Sequence, residues 1–438
     1  MLNCIWLGLV IAAVFIGGAS GRLKDVADGA IKGAETSVTI ALGLIGVMTV
    51  WLGIMRLAER SGFVSLIART LRPLLRWLFP DVPADHPAMG SMVMNIAANM
   101  LGLVNAATPL GLRAMRDLEK LNRHPGTATN AMCTFLAINT GSVQLIPITA
   151  IAVLAAAGSK APYAIVGTSL VATFFSSAAG LIAVKTLEKF TAFRPGTGPA
   201  VGGEEKADSP EVTIQSELKP LSSWRKIVLL AFLIFFAGAV AWAAWPEIFG
   251  AALTPEQQAQ SGSIRLVNAI SIAAIPFLLA LFPLYAGLKD LKVYEEFVEG
   301  GKEGFAVAIK IIPYLVAMLL AISMFRGAGG IELLTRAVRP ILDLLRFPPE
   351  LLPMALMRPL SGSGSLAIFS DLVKQLGPDN LITRMAGTIY GSTETTFYVV
   401  AVYFGAVGIH RTRHAIPAGL IADLAGIIAA VIVCRMVF

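Results

Sequence analysis

The chain has 438 residues, of which 56% are hydrophobic and 14% charged, with a formal charge of +7. Soluble proteins carry about 25% charged residues. With a mean hydropathy of +0.73, these values exclude a soluble enzyme, a secreted disulfide scaffold and a disordered regulator. The excess of Arg and Lys is read as helix ends meeting anionic lipid headgroups, so membrane lipids are the expected partner and nucleic acid is not. Cys4, Cys133 and Cys434 lie far apart, and His86, His124, His410 and His414 do not cluster. No phosphate-binding GxxxxGKS/T, zinc-binding HExxH or nucleophilic GxSxG is present. No enzyme activity, metal or cofactor is therefore expected.

About 20 apolar residues cross a bilayer as a helix. In chain order such runs fall at residues 2–20, 37–55, 161–187, 227–245, 264–288, 307–325 and 415–437. The first lacks the basic leader of a signal peptide and reads as a span. Residues 57–78 form an amphipathic helix with Arg69, Arg72 and Arg76 on one face and leucines on the other. It either lies in the membrane interface or packs on the bundle, where it could support a moving element. Residues 89–157 and 351–408 are apolar but interrupted by Asn, Gly, Pro, Ser and Thr. They read as half-helices, re-entrant hairpins or discontinuous helices, which survive at membrane depth only when buried in protein or lining a wet cavity. Residues 191–224 are a polar, Gly/Pro-bearing linker.

The linker separates residues 1–190 from 225–438, and the two parts repeat each other. Gly29 and Gly33 match Gly300 and Gly304, while Arg69, Arg72 and Pro73 match Arg336, Arg339 and Pro340. Residues 138–142 (Ile-Asn-Thr-Gly-Ser) align with residues 389–393 (Ile-Tyr-Gly-Ser-Thr). Orientation stays open at this level. Residues 247–263 contain no Lys or Arg and should face outside, yet counting spans from there puts the Arg-rich stretch 326–346 outside too, against the same rule. The duplication can be parallel or inverted.

Three polar constellations stand where polarity is expensive. The first, residues 391–398, joins Glu394 to Ser392, Thr393, Thr395 and Thr396. It suits a broken helix presenting a carboxylate and freed backbone groups to a ligand, or a Glu capping an ordinary helix start. The second, residues 357–365, sets Arg358 beside Pro359, with Ser361 and Ser363 alternating with glycines. It suits an anion-binding nest or a tight helix crossing of small residues, and Glu394 is the natural partner for Arg358. The third gathers Asn95, Asn99 and Asn105 with Asn130, Asn139, Thr140, Ser142 and Gln144. Asn95 and Asn99 share a helix face. Amides donate and accept, which suits a neutral polar ligand, or they act as interhelical glue. Val143 aligns with Glu394, so the halves are not chemically equivalent. Asp423, in the last apolar run, is a proton site or a partner of Arg411 or Arg413.

Pro87-Ala-Met-Gly90, Asn95-Ile-Ala-Ala-Asn-Met-Leu-Gly102 and Asn105-Ala-Ala-Thr-Pro-Leu-Gly111 resemble the spore maturation protein A family. Ala355-Leu-Met-Arg-Pro-Leu-Ser-Gly-Ser-Gly364, Gly391-Ser-Thr-Glu-Thr-Thr-Phe-Tyr398 and Arg411-Thr-Arg-His-Ala-Ile-Pro-Ala-Gly419 resemble the spore maturation protein B family. The chain looks like a fusion of the two, in the nucleoside-recognition or gate-domain group related to halves of concentrative nucleoside transporters. Gly391-Ser-Thr-Glu394 resembles the Gly-Gln-Thr-Glu hairpin tip of those transporters. Thr393 and Glu394 carry over, and Ser392 stands where the family has Gln.

The expected fold is all-α: two homologous gate domains with interfacial amphipathic helices, in a multi-pass protein of the bacterial inner membrane. The expected function is movement of a small polar solute, nucleoside-like or a small organic anion, coupled to Na⁺, H⁺ or no ion. The candidate binding residues are Glu394, Thr393, Ser392, Thr395, Arg358, Ser361, Ser363, Asn95, Asn99, Asn105, Asn139, Ser142 and Gln144. A membrane scaffold or receptor and a handler of lipid-linked substrates are the alternatives, and a homo-oligomer is compatible with all three.

Overall fold

The computed structural model describes residues 2–83, 85–102, 104–193, 221–258, 260–344 and 346–438. The architecture is all-α. A first set of helices runs α1 (Leu2–Ala19), α2 (Leu23–Arg60), α3 (Phe63–Leu78), α4 (Pro87–Met100), α5 (Val104–Glu119), α6 (Asn130–Thr140), α7 (Ile148–Ala156) and α8 (Ile165–Leu187). Then come α9 (Ser223–Ala244), α10 (Pro255–Gln258) and α11 (Gly262–Gly287). A second set follows: α12 (Val293–Gly327), α13 (Gly330–Leu344), α14 (Leu352–Met357), α15 (Gly362–Leu376), α16 (Leu381–Ser392), α17 (Thr396–Gly405) and α18 (Ala415–Val437). Among the described residues, α2, α8 with its leading 3-10 turn, α9, α11, α12 and α18 are long and apolar enough to cross a membrane. Most of the linker read from sequence, residues 194–220, lies outside the described residues.

The two sets share one order: a long helix, an amphipathic helix, a helical hairpin, a broken helix and a closing span. The apolar runs 37–55 and 307–325 are only the middles of α2 and α12, which span 38 and 35 residues. Their polar ends continue the helix beyond the apolar part although Gly29, Gly33, Gly300 and Gly304 are poor helix formers, because there the two helices pack on each other. The amphipathic segment 57–78 is divided. α2 ends at Arg60, and Gly62, at φ 74°, turns the chain into α3. Gly329, at φ 82°, makes the same turn between α12 and α13. Only glycine takes up this left-handed conformation at little cost.

α2 and α12 pack along their length in opposite directions. Gly29 and Gly33 face Ser323 and Leu319, whereas Met48 and Leu52 face Gly304 and Gly300. A Cβ on Gly33 would stand 2.7 Å from the Leu319 carbonyl oxygen, and one on Gly304 would stand 2.5 Å from that of Met48. The absent side chains let the two backbones touch, the device that binds helices where apolar burial gives no preference. Ser37 adds a hydrogen bond from its hydroxyl to the Leu315 carbonyl at 3.2 Å. α8 and α18 repeat the pattern. Ser176 stands against Gly426, Gly180 stands against Ala422, and the Ser176 hydroxyl donates to the Ala422 carbonyl at 2.9 Å.

Each of these pairs joins a helix to its own counterpart from the other repeat. Counterparts that run antiparallel mean that the second repeat is the first turned over. The duplication is therefore inverted, and the clash with the positive-inside rule has a cause: inversion sends the Arg-bearing helices α3 and α13 to opposite ends of the bundle. α6 packs on α8 and α18, and α16 does the same, which brings both broken helices to the middle of the molecule. α9 packs on α11 through Phe232 and Phe236 against Phe277, and Ala244 is its one fully buried residue.

Candidate functional site at the paired helix breaks

α6 starts at Asn130, capped by the Thr129 hydroxyl on the Met132 N–H at 3.2 Å. α16 starts at Leu381, where the Asn380 side chain takes the Ile382 N–H at 2.9 Å. Both helices then stop at aligned positions, because the chain must turn there. In the first break Ser142 adopts φ 46°, a left-handed conformation uncommon outside glycine. In the second, Thr393 leaves the helix in an extended conformation, and the chain re-enters helix at Thr396. Gly391 makes room for the meeting of the two breaks, with Pro147 packed directly on its Cα.

Each break is tied to the tip of the hairpin in its own repeat. The Leu145 N–H donates to the Met100 carbonyl at 3.0 Å, and the Phe397 N–H donates to the Pro359 carbonyl at 3.0 Å. One further bond joins the two breaks: the Glu394 N–H donates to the Thr140 carbonyl at 3.0 Å. A helix end frees carbonyls that need partners, and here the opposite repeat supplies one.

The amides of the first repeat form one connected group. Asn95 Nδ2 donates to the Ala107 carbonyl at 2.7 Å, and Asn99 Nδ2 donates to Asn139 Oδ1 at 2.8 Å. Asn139 Nδ2 in turn donates to the Phe135 carbonyl at 2.9 Å. Tyr403 of α17 completes the group. Its hydroxyl accepts from Asn95 Nδ2 at 3.3 Å and donates to Asn139 Oδ1 at 3.4 Å. Sequence reasoning passed over Tyr403. Its only local signal is a hydroxyl inside the apolar run of α17, and its partners are about 300 residues away in sequence. The Asn105 side chain lies outside the described residues. Gln144 is half-buried at the first break, where its N–H donates to the Ser142 carbonyl at 2.7 Å. The Ser142 hydroxyl is buried without a hydrogen-bond partner among the described residues.

Arg358 meets its expected partner only as a loose ion pair. Its side chain is 3% exposed and stands 3.9 Å from Glu394 Oε2, beyond hydrogen-bond reach. The guanidinium is spent on the end of α16. Nε donates to Thr393 Oγ1 at 3.1 Å, and Nη2 donates to the Tyr390 carbonyl at 2.9 Å and also to the Thr393 carbonyl. It also lies over the Tyr390 ring, 4.6 Å from the centroid. A delocalised cation with several fixed donors suits the negative end of a helix. Glu394 is thereby left with a loose ion pair to Arg358 and no hydrogen bond from it, and keeps 37% of its side-chain surface. Its Oε2 takes only its neighbour's N–H, from Thr395, at 3.3 Å.

The Ser/Gly run after Arg358 is not an open nest. Ser361 caps α15, its hydroxyl accepting from the Gly364 N–H at 3.0 Å, and Ser363 lies 3.3 Å from that hydroxyl. Thr395 Oγ1 packs against Gly362, and Ser392 is fully buried with its hydroxyl on the Ile389 carbonyl at 3.4 Å. Asp423 pairs with neither Arg411 nor Arg413. Arg413 donates to the Ala128 carbonyl at 2.9 Å, while Asp423 Oδ2 takes the Thr396 hydroxyl at 2.6 Å.

The structure thus brings Asn95, Asn99, Asn139, Ser142, Thr393, Glu394 and Arg358 to one place through three backbone ties. The breaks themselves are closely packed. A cavity of about 540 Å³ lies at the opposite end of α6, lined by Asp81, Asn122, Arg123, His124, Asn130 and Arg413 among others. It includes none of the predicted binding residues.

Comparison with known proteins places this geometry in a family. The Gate, nucleoside recognition, family matches residues 41–160 and 308–410. Spore maturation protein A of Bacillus subtilis is 46% identical over 182 residues, covering 42% of this chain and 93% of that protein. Spore maturation protein B of the same organism is 44% identical over 175 residues, covering 40% of this chain and 98% of that protein. The two matched Gate segments hold the hairpins and broken helices of both repeats, so this membrane chain belongs to the nucleoside-recognition Gate family.

Proposed function

We propose that the protein binds and moves a small polar solute at the paired breaks, in the inner membrane of a bacterium. The observation that carries this reading is the juxtaposition of a half-exposed, loosely paired Glu394 with the amide group of Asn95, Asn99 and Asn139, at a point where two inverted repeats touch. Inverted repeats with broken helices meeting midway suit alternating access, in which one repeat rocks against the other around a fixed site. Glu394 supplies an acceptor for a ligand hydroxyl or amine, and the amides supply both donors and acceptors. Nucleoside-like molecules fit that chemistry, and so does the description of the family that matches. A scaffold would be favoured by Arg358 and Glu394 locked in a close salt bridge, and the separation of 3.9 Å does not favour it.

A thermal-shift panel on detergent-purified protein tests the reading, with nucleosides, nucleobases, dipicolinate, amino acids, sugars and Na⁺. A ligand at 100 times its Kd stabilises a folded protein by about 2.7 kcal/mol. The expected result is stabilisation by one class in the wild type that is lost in Glu394→Gln. No shift with any ligand, together with unchanged stability of the variant, would overturn it.

A further inference from the structure

Asp423 sits on the face of α18 that lies under the second break. Glycines one turn to either side of it bring the break close. A Cβ on Gly419 would stand 2.8 Å from the Thr396 methyl group, and one on Gly426 would stand 2.5 Å from that of Thr393. The carboxyl is 1% exposed. Its Oδ2 is held by the Thr396 hydroxyl at 2.6 Å, and its Oδ1 is buried with no hydrogen-bond partner among the described residues.

Three other hydroxyls lie close by on the packed helices, but each gives its proton elsewhere. Ser176 donates to the Ala422 carbonyl, Thr140 to the Leu136 carbonyl at 3.0 Å, and Thr393 to the Ile389 carbonyl at 3.0 Å. The charged groups that act on Asp423 are Arg358 and Glu394. Arg358 commits its donors to the end of α16, and Glu394 repels a second negative charge. Thr396 of α17 touches Asp423 itself, while Ser176 of α8 and Thr140 of α6 pack on the flanking Gly426 and Gly419. An ionised carboxylate with a single donor and, among the described residues, no hydrogen-bonded cation is costly in such a place, whereas a neutral acid can turn the same 2.6 Å contact round and give its own O–H to Thr396 Oγ1. The first repeat has no such acid. Thr173 takes the corresponding place on α8, two turns into the helix, and its hydroxyl serves the Ser142 carbonyl at 3.1 Å.

We propose that Asp423 is a proton-binding site, holding one proton on its buried carboxyl beside Thr396 and releasing it when movement of the start of α17 away from α18 lets water reach the carboxyl. Thr396 begins the half-helix that follows Glu394 and Thr395, so any displacement of the second break by a solute changes the contact that holds the proton. That coupling rests on the solute reading above; the proton site itself does not.

Infrared spectroscopy of the purified protein tests it without any solute. The expected result is a protonated-carboxyl C=O band at neutral pH that shifts in ²H₂O and is missing from Asp423→Asn, while Glu394→Gln retains it. Thr396→Val keeps the acid but removes its partner, and should move the band to higher frequency without removing it. This second variant decides the matter if Asp423→Asn does not fold. An identical carboxyl region in wild type and Asp423→Asn, or no movement in Thr396→Val, would overturn the proposal. So would Na⁺-dependent stability confined to proteins that keep Asp423, because it would mean an ionised carboxylate holding a metal cation. A silent solute panel with the band in place would remove the transport reading and leave the proton site standing.

Discussion

The Glu394 N–H donates to the Thr140 carbonyl at 3.0 Å, so the break in the second repeat hangs on a helix end from the first. The two residues come from segments about 250 positions apart, and the bond lies where both broken helices cross α8 and α18. It makes the repeats one unit at the place where their chemistry differs, since Glu394 has Val143 as its counterpart. A rearrangement of either break must pass through this contact.

Arg358 should matter chiefly for the stability of the second break. Arg358→Ala strands the carbonyls of Tyr390 and Thr393 in a buried place. Hydrogen bonds to charged groups contribute about 1.5–3 kcal/mol each, and a loss of roughly 3 kcal/mol is expected. Arg358→Lys keeps the charge but not the fork of donors, and should recover only part of the loss. Thermal unfolding in detergent with both variants checks the order wild type, Lys, Ala.

The α2–α12 contact predicts a contrast between two glycines on neighbouring helices. Gly304→Ala forces a methyl group into the Met48 carbonyl and should destabilise by about 1–3 kcal/mol, the usual cost of overpacking. Gly46→Ala, where a Cβ meets nothing within 4 Å, should be neutral or stabilising by up to about 1 kcal/mol. Equal effects of the two substitutions would argue against the close antiparallel crossing.

Tyr403→Phe removes the hydroxyl that joins Asn95 to Asn139. A neutral hydrogen bond contributes about 1 kcal/mol, and a loss of that size is expected. The informative quantity is the double-mutant cycle with Asn95→Ala. Residues in one network couple by about 0.5 kcal/mol or more, so additive losses would mean that Tyr403 and Asn95 act separately.

Two groups at the helix ends give stability a pH dependence in separate windows. Burial, with Arg413 and Lys185 nearby, pushes the His414 imidazole down to about 4. An unfolded His titrates at about 6.5. Between those values the unfolded chain binds the extra proton, so stability falls as pH falls from about 6.5 towards 4. His414→Gln should remove that slope. Asp379 is held below the usual carboxylate value by the Lys160 N–H and the Ser159 hydroxyl. Its contribution is present above the unfolded Asp value of about 3.9 and is lost as pH falls below it, through the lower folded value. Melting temperatures of wild type, His414→Gln and Asp379→Asn across this range separate the two.

The sequence by itself determined the membrane class, most of the spans and the duplication, because hydrophobic length and residue spacing are local properties that survive in any arrangement of the helices. Residues 415–437 read as a span are α18 to the residue, since composition changes sharply at both ends. The polar residues of the breaks were also legible, because Asn, Glu and Arg are conspicuous in apolar runs. Only the tertiary structure decided that the repeats are inverted, that Tyr403 belongs with the amides, and that Asp423 meets Thr396 rather than an arginine. It also gave the hydrogen bonds of Arg358 to the end of α16 and left Glu394 a looser ion pair. The inversion rests on which helices pack together over long sequence distances, and the other three share one physical reason. A buried polar group takes whichever partner the packing brings within about 3 Å, and freed helix-end carbonyls compete for an arginine as well as a carboxylate does. Composition shows that a partner is needed, and the crossing of helices far apart in the chain selects it.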